Sequence, residues 1–517
     1  MPAVKRMRNN PDTTYSQLPR AQAIRTGTYL GLILGLGACL RLATLGRQSL
    51  WLDESFSYWM ANRSWTALLA SLPFNDTHPP LYYLSLQPMI ALGGSEWVLR
   101  LPSALFSVVS IGLVFALGKE LFNRTTALIA AFIVAIAPIQ IWFAQEARMY
   151  ALVSMLALAA GLFAVRALRT NRWPDWLMLG LCEGLALLTD IAALWFVIAV
   201  NVAWLLAVKA HWRSGRFWPW LMAQLFAFCL YLPWVPGLLQ QLSNGITNWI
   251  PPATVTIMAR TLTDFTGSYE QRSTPESLLT LIALVTPFVL AARGLFREMA
   301  ARKMAYLLLG CWFFIPIGLA FLISQPYISV PLLSLLVGQG RSIFLTRNLI
   351  VASFPLYLLL ARSLTLSPRR ARFVILAALV MMSGVSYYQN VLHDSKEDFR
   401  AAAQIVTAQA VPSDLILFAP PYIELPFAYY YNRSPGVEVS FDTLTEGVIS
   451  NQGFPANTSP GELLSHYQRV WLITSSDNIY RVDTAHTKET LDARGSVLDA
   501  REVYGVSILL YRLNKPN

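Results

Sequence analysis

The chain has 517 residues, 55% hydrophobic and only 13% charged, with a mean hydropathy of +0.46. Soluble domains are about a quarter charged, so an ordinary soluble enzyme is excluded; 16 tryptophans and 12% aromatic residues exclude a disordered chain. The net charge of +11 is scattered between apolar runs and forms no nucleic-acid patch.

Residues 1–27 form a polar, basic tail (Lys5, Arg6, Arg8, Arg20, Arg25) ahead of an apolar run, Tyr29–Leu45. That run is too long for a signal-peptide core and no small-residue cleavage site follows it. It predicts an uncleaved first span with a cytoplasmic N-terminus. Runs of spanning length recur at 98–118, 126–143, 149–168, 173–189, 191–208, 217–237, 276–293, 304–324, 347–366 and 371–390. Counted from an inside N-terminus, eleven spans put Lys119 and Arg124, then Arg166, Arg169 and Arg172, then Lys209, Arg213 and Arg216 in cytoplasmic loops. Arg293, Arg297, Arg302 and Lys303, and finally Arg369, Arg370 and Arg372, follow on the same side, as the positive-inside rule asks. The pattern requires the stretch 79–93 to lie in a long first external loop, 46–97. Opening with Pro-Pro and ending with Gly-Gly, it reads as an interfacial or re-entrant helix. The membrane domain thus covers 28–392.

Residues 393–517 are polar, with strand-like runs at Asp414–Ala419, Arg469–Thr474 and Val506–Leu513 and a helical pattern over Lys396–Val411. Ser459-Pro-Gly-Glu462 has the form of a capping box. This is an α/β domain that eleven spans place outside the cytoplasm. Cys39, Cys182, Cys229 and Cys311 all lie in apolar runs and read as small buried hydrophobes.

Charges at membrane depth are costly and therefore candidates for function. The external segments gather them: Asp53 and Glu54 after the first span; His78 and Tyr82; Arg100 at the start of the second span; Gln145, Glu146, Arg148 and Tyr150 in the next external turn; and Arg341 and Arg347 later. Arginine binds phosphate in a fork, and a carboxylate takes a proton from an attacking hydroxyl. Each residue also has a plainer reading. Asp53 suits a helix N-cap, Glu54 a first helical turn, and Arg100 and Arg148 interface anchors that snorkel. His78 suits a turn before Pro-Pro, Arg341 a solvated loop, and Asp190 a polar position at a tight turn. Tyr422 and Tyr429-Tyr430-Tyr431 fit core packing or stacking on a sugar.

Four segments in order carry a resemblance: Ser49-Leu50-Trp51-Leu52-Asp53-Glu54, His78-Pro79-Pro80-Leu81-Tyr82-Tyr83, Arg100-Leu101-Pro102-Ser103-Ala104-Leu105 and Gln145-Glu146-Ala147-Arg148-Met149-Tyr150. Together they resemble the motif series of glycosyltransferase family 39, the protein mannosyltransferase-like and aminoarabinose-transferase-like membrane enzymes. Lys396-Glu397-Asp398-Phe399-Arg400-Ala401-Ala402 is similar to the start of the external domain in bacterial members. The resemblance implies the C-type glycosyltransferase fold: a polytopic α-helical membrane protein of about eleven spans plus interfacial helices, with a C-terminal extracytoplasmic α/β domain. It implies an inverting transferase that moves a sugar from a polyprenyl-phosphate donor to a lipid, envelope glycan or protein acceptor, on the external face of the plasma (inner) membrane. The position matching Asp53 is the base, with Glu54 or Glu146 stabilising an oxocarbenium-like state. Arg100, Arg148 and Arg347 would hold the donor phosphate, and His78, Tyr82, Gln145, Glu146 and Tyr150 would line the site. Two positions depart from the pattern. Thr189-Asp190 stands where some relatives have His, and Asn348 follows Arg347 where Tyr is common. The first loop has no Asp-x-Asp, only Asp53-Glu54, so no cofactor is indicated and a divalent-metal mechanism like that of oligosaccharyl transferases stays open without being indicated. A transporter or flippase of a lipid-linked envelope precursor is the alternative, but no internal repeat of fixed period and no inverted pair of broken helices is visible, and the charges gather at one interface. A non-catalytic envelope scaffold is a third reading.

Overall fold

The computed structural model describes residues 20–208, 215–244, 250–267, 269, 274–325, 342–411, 413–431, 464–476 and 485–514. All eleven apolar runs lie on helices. Eight helices among the described residues are long and apolar enough to cross a membrane: Ala23–Leu42, Glu96–Leu121, Tyr150–Thr170, Phe217–Ser243, Thr280–Ala301, Lys303–Ile323, Thr346–Leu366 and Arg369–Leu392. The helices α6 (Arg124–Ile136) and α7 (Pro138–Ala144) pass the same test only as a pair, bent by 57°, which is the form of a broken span or of a re-entrant loop. The remaining two runs form helices Trp173–Thr189 and Ala193–Val208, of 17 and 16 residues, at the short end of what spans a bilayer.

The bend has a cause that can be traced. Pro138 has no N–H and cannot continue the preceding helix, which leaves carbonyls at the end of α6 without intrahelical donors. Arg41, on α1 (Arg20–Leu42), is fully buried beside that break. Its guanidinium donates to Ala135 O at 2.8 Å and Val134 O at 2.9 Å, to Gly37 O at 3.1 Å and to Ser107 Oγ at 2.8 Å. A buried arginine from another helix thus completes the backbone at the break.

Between α1 and the helix α5 (Glu96–Leu121) lie three short helices, α2 (Leu52–Ala61), α3 (Trp65–Asn75) and α4 (Leu81–Ala91). The eleven residues of α4 rise about 16 Å, too little to cross a bilayer. Gly93 and Gly94 stop it. Both have positive φ, and their N–H groups return to Ile90 O at 2.9 Å and Met89 O at 3.0 Å, a Schellman ending that glycine adopts without a Cβ clash.

The C-terminal part is a four-stranded sheet of order β1-β2-β4-β3, with β1 (Leu415–Ala419) parallel to β2 (Arg469–Ser475), and β4 (Val506–Leu513) antiparallel to both β2 and β3 (Gly495–Val503). Three strands fall on the sequence expectation. β3 does not: it is a mostly exposed edge without an apolar alternation, so nothing in its pattern marks it. The helical pattern over Lys396–Val411 is realised as Phe399–Gln409, because Asp398 caps it by accepting from Ala401 N at 3.0 Å. Ser459–Glu462 and Arg341 lie outside the described residues.

This part packs on the first loop. Leu50, Leu99 and Ala147 share one buried cluster with Phe399, Phe427 and Tyr429–Tyr431. Tyr430 OH accepts from Leu50 N at 2.7 Å, Tyr429 OH donates to Gly94 O at 2.8 Å, and Trp59 Nε1 donates to Leu425 O at 3.1 Å. Arg400 reaches Glu96 Oε1 at 2.7 Å. Of the two readings of the tyrosines, Tyr429, Tyr430 and Tyr431 take the packing one.

Candidate functional site

Trp51, not Asp53, precedes the first helical residue of α2, and no side chain caps that end. Asp53 is therefore released from the capping role and its carboxylate, 22% exposed, faces two arginines from distant segments. Arg347 NH1 lies 3.2 Å from Asp53 Oδ2, and Arg148 Nε lies 3.8 Å from the same oxygen. Arg148 also donates to Asp53 O and Tyr83 OH, each at 3.4 Å. Arg347 is 21% exposed while Arg148 is almost fully buried, so the cluster opens to solvent from the Asp53–Arg347 side.

Behind it stands a second carboxylate. Asp76, at the end of α3, accepts from the Tyr83 hydroxyl and lies 2.9 Å from His78 Nδ1. Gln241 Nε2 donates to Asp76 O at 2.9 Å and holds the turn. Burial would raise the Asp76 carboxyl, but the His78 ring, Arg148 and the Tyr83 hydroxyl outweigh it and hold the group far below the usual carboxylate range. Burial would likewise depress Arg148, yet the charge of Asp53 beside it raises it well above the ordinary value, so it stays a cation. Tyr150, whose hydroxyl is buried without a hydrogen-bond partner, has its ring centroid 6.4 Å from that of His78. Asp190 accepts from Ala192 N at 2.9 Å within its own turn.

The other candidates separate from this centre. Glu54 is fully buried. Arg100 grips both its oxygens at 2.7 and 2.6 Å, Ala147 N donates to Oε1 at 2.9 Å, and Lys396 Nζ lies 3.1 Å from Oε2. Burial opposes this carboxylate's charge, and Arg100 with Lys396 overcomes it, lowering its pKa to about 2. Arg100 gives its remaining three N–H donors to Leu45 O, Gln48 O and Ser49 O at 2.6, 2.9 and 2.9 Å. All five donors of this guanidinium are thereby used inside the protein, and none is left for the phosphate expected there. Gln145 donates to Leu40 O and Thr44 Oγ1, both at 2.9 Å, tying down the end of α1. Tyr82 is completely buried, with its hydroxyl 2.8 Å from Ser103 Oγ. Glu146 is buried 3.4 Å from Lys396 Nζ. Sequence reasoning did not single out Asp76, Tyr83 or Lys396. Tyr83 and Lys396 lay inside quoted motifs, and Asp76 lies two residues before His78. Among the described residues, no group of three or more His, Cys, Asp and Glu side chains is placed to hold a metal ion.

Helical membrane core, three short helices in the first loop and a small α/β unit seated on them define a class: a multi-pass membrane protein of the C-type glycosyltransferase fold. Residues 77–236 match the family model for dolichyl-phosphate-mannose-protein mannosyltransferase, which bears out the resemblance read from the motifs. The structure superimposes on ArnT from Cupriavidus metallidurans in the apo state with a TM-score of 0.59 at 14% identity, over 95% of this chain and 98% of that one. For ArnT bound to undecaprenyl phosphate the TM-score is 0.54 at 12% identity, over the same 95% and 98%. Archaeal oligosaccharyltransferase AglB from Archaeoglobus fulgidus, in complex with an inhibitory peptide and a dolichol-phosphate, gives 0.55 at 10% identity, over 96% of this chain and 75% of that one. Likenesses at such identities establish the fold. A comparison with curated protein sequences gives no match.

Proposed function

We propose that the chain is an inverting glycosyltransferase that moves a sugar from a polyprenyl-phosphate donor to a hydroxyl of a lipid, envelope glycan or protein, on the external face of the plasma (inner) membrane. The observation that carries this reading is the partly exposed Asp53 carboxylate between Arg347 at 3.2 Å and Arg148 at 3.8 Å. A phosphate leaving group is a weak base and requires no general acid. It requires cations where its charge develops, and an oriented carboxylate beside the nucleophile. The acceptor hydroxyl gives its proton to Asp53 as its oxygen bonds to the anomeric carbon. The bond from that carbon to the phosphate oxygen breaks, and polyprenyl phosphate departs against Arg347 and Arg148. A guanidinium has five donors, so each arginine can serve carboxylate and phosphate together. The Tyr83–Asp76–His78 group holds Arg148 from behind. That ArnT is seen bound to undecaprenyl phosphate supports the donor class, and the basic residues of the alternate loops support the sidedness.

Binding of undecaprenyl phosphate to the protein in lipid nanodiscs tests the donor half of this reading. A hydrogen bond to a charged group is worth about 1.5–3 kcal/mol, so Arg347→Gln and Arg148→Gln should each weaken binding by about tenfold or more. Affinity unchanged in both variants removes the arginines from the phosphate site.

A further inference from the structure

Lys396 belongs to the linker between the last long membrane helix and the C-terminal domain, outside every element that carries Asp53, Arg148 or Arg347. Its ammonium nevertheless reaches under the site. It lies 3.1 Å from Glu54 Oε2 and 3.4 Å from Glu146 Oε1, with the Trp142 and Trp51 ring centroids at 5.5 and 6.0 Å. Glu54 is the neighbour of Asp53 on α2, and Glu146 precedes Arg148 by two residues. One ammonium therefore joins the two segments whose side chains meet at Asp53 Oδ2. Charge makes the join exacting. Glu54 and Glu146 are buried carboxylates, and among the described residues Arg100 and Lys396 are the cations within ion-pair distance of them. Removing Lys396 takes from both buried carboxylates a cation at ion-pair distance, a costly loss in a buried site.

The linker that delivers Lys396 is fastened on both sides. Toward the membrane part, Gln48 Nε2 donates to Asn390 O and His393 O, both at 3.0 Å, Ser395 Oγ donates to Gln48 Oε1 at 3.0 Å, and Ser49 Oγ donates to Glu397 O. Toward the sheet, Asp398 N donates to Tyr504 O at 2.8 Å, and Ser475 Oγ donates to the Glu397 carboxylate.

The geometry points to Lys396 as a positioning residue: its ammonium, held in place by the seated C-terminal domain, balances Glu54 and Glu146 and thereby sets Asp53 against Arg148. The C-terminal domain is then part of the catalytic apparatus and not an appendage. This inference rests on the transferase reading given above.

Three variants of the full chain test it: Lys396→Met, Lys396→Arg, and Lys396→Met with Glu146→Gln, which removes one of the two carboxylates together with the amine they share. Transfer from radiolabelled polyprenyl-phosphate sugars gives kcat and the donor KM, and hydrogen exchange over residues 50–58 and 146–149 gives the local order. Misplacement by about 1 Å costs on the order of 100-fold in rate, so Lys396→Met should lose about that factor in kcat with donor KM changed less than about threefold. Lys396→Arg should retain most of the activity. The double variant should regain about tenfold or more over Lys396→Met, and exchange over 50–58 should quicken in the single variant and slow again in the double. Wild-type kcat in Lys396→Met, or a double variant no better than the single while both stay folded, overturns the inference. If the wild type transfers from no donor, the transferase reading fails and exchange decides alone. Quickening that Glu146→Gln reverses keeps the positioning role, and unchanged exchange overturns it.

Discussion

Asp53 and Glu54 are adjacent residues, about 100° of helical rotation apart, and the rotation assigns them different work. Asp53 turns to solvent and the two arginines, while Glu54 turns inward onto Arg100. Removing one partner of such a buried pair costs about 3–5 kcal/mol, so Arg100→Met should be strongly destabilised in a denaturant titration, and adding Glu54→Gln should return much of the loss. The same carboxylate gives a pH signature. Its folded pKa of about 2 lies below the ordinary glutamate value, so its stabilisation is complete above about pH 5 and is lost as pH falls through 2. Stability measured between pH 5 and pH 2 should therefore fall more steeply in the wild type than in Glu54→Gln. Asp53, Arg148 and Arg347 were readable as candidates from charge at the interface alone. Which carboxylate faces the arginines, and that Arg100 has every donor occupied, depends on side-chain direction and on carbonyls of the 45–49 turn, which no motif encodes.

Hydrophobic run length placed a helix at each of the eleven apolar runs, eight of them long and apolar enough to cross a membrane among the described residues, because about 20 apolar residues are needed whatever the packing. The same criterion is blind to Arg41 and the bend at Pro138, where a side chain from another helix completes the backbone. Helix approach is a matter of small residues. A Cβ on Gly180 would lie 2.4 Å from Ala223 O on the neighbouring helix Phe217–Tyr231, and on Gly112 it would meet nothing within 4 Å. Gly180→Val should cost about 1–3 kcal/mol by overpacking, visible as a lowered Tm, whereas Gly112→Ala should leave Tm unchanged or raise it slightly. Equal Tm shifts in the two variants would contradict the close contact. Strands β1, β2 and β4 are buried runs and could be read in advance; β3 is an exposed edge whose pairing with β4, and not its own pattern, makes it a strand.

At the scale of the molecule, the C-terminal domain docks through the helix Glu424–Tyr431 against α2, and Glu424 lies buried at its start with Oε1 lacking a hydrogen-bond partner. Burial raises its carboxyl to about 7, so the folded state favours the protonated form. Its contribution is fully present below the unfolded glutamate pKa and is lost as pH rises through 7. Tm measured from pH 5 to pH 8 should fall in the wild type and flatten in Glu424→Gln; an identical slope in both would exclude Glu424 as the source. The central claim, glycosyl transfer with Asp53 as base, is tested most directly by incubating the purified protein in lipid with a panel of radiolabelled polyprenyl-phosphate sugars, an envelope lipid extract and an exported-protein extract, beside Asp53→Asn. Transfer from one donor by the wild type, lost by about 100-fold or more in the variant, is the result the account predicts. Equal transfer by both proteins would contradict the role of Asp53, and no transfer from any donor by the folded wild type would contradict the reaction itself.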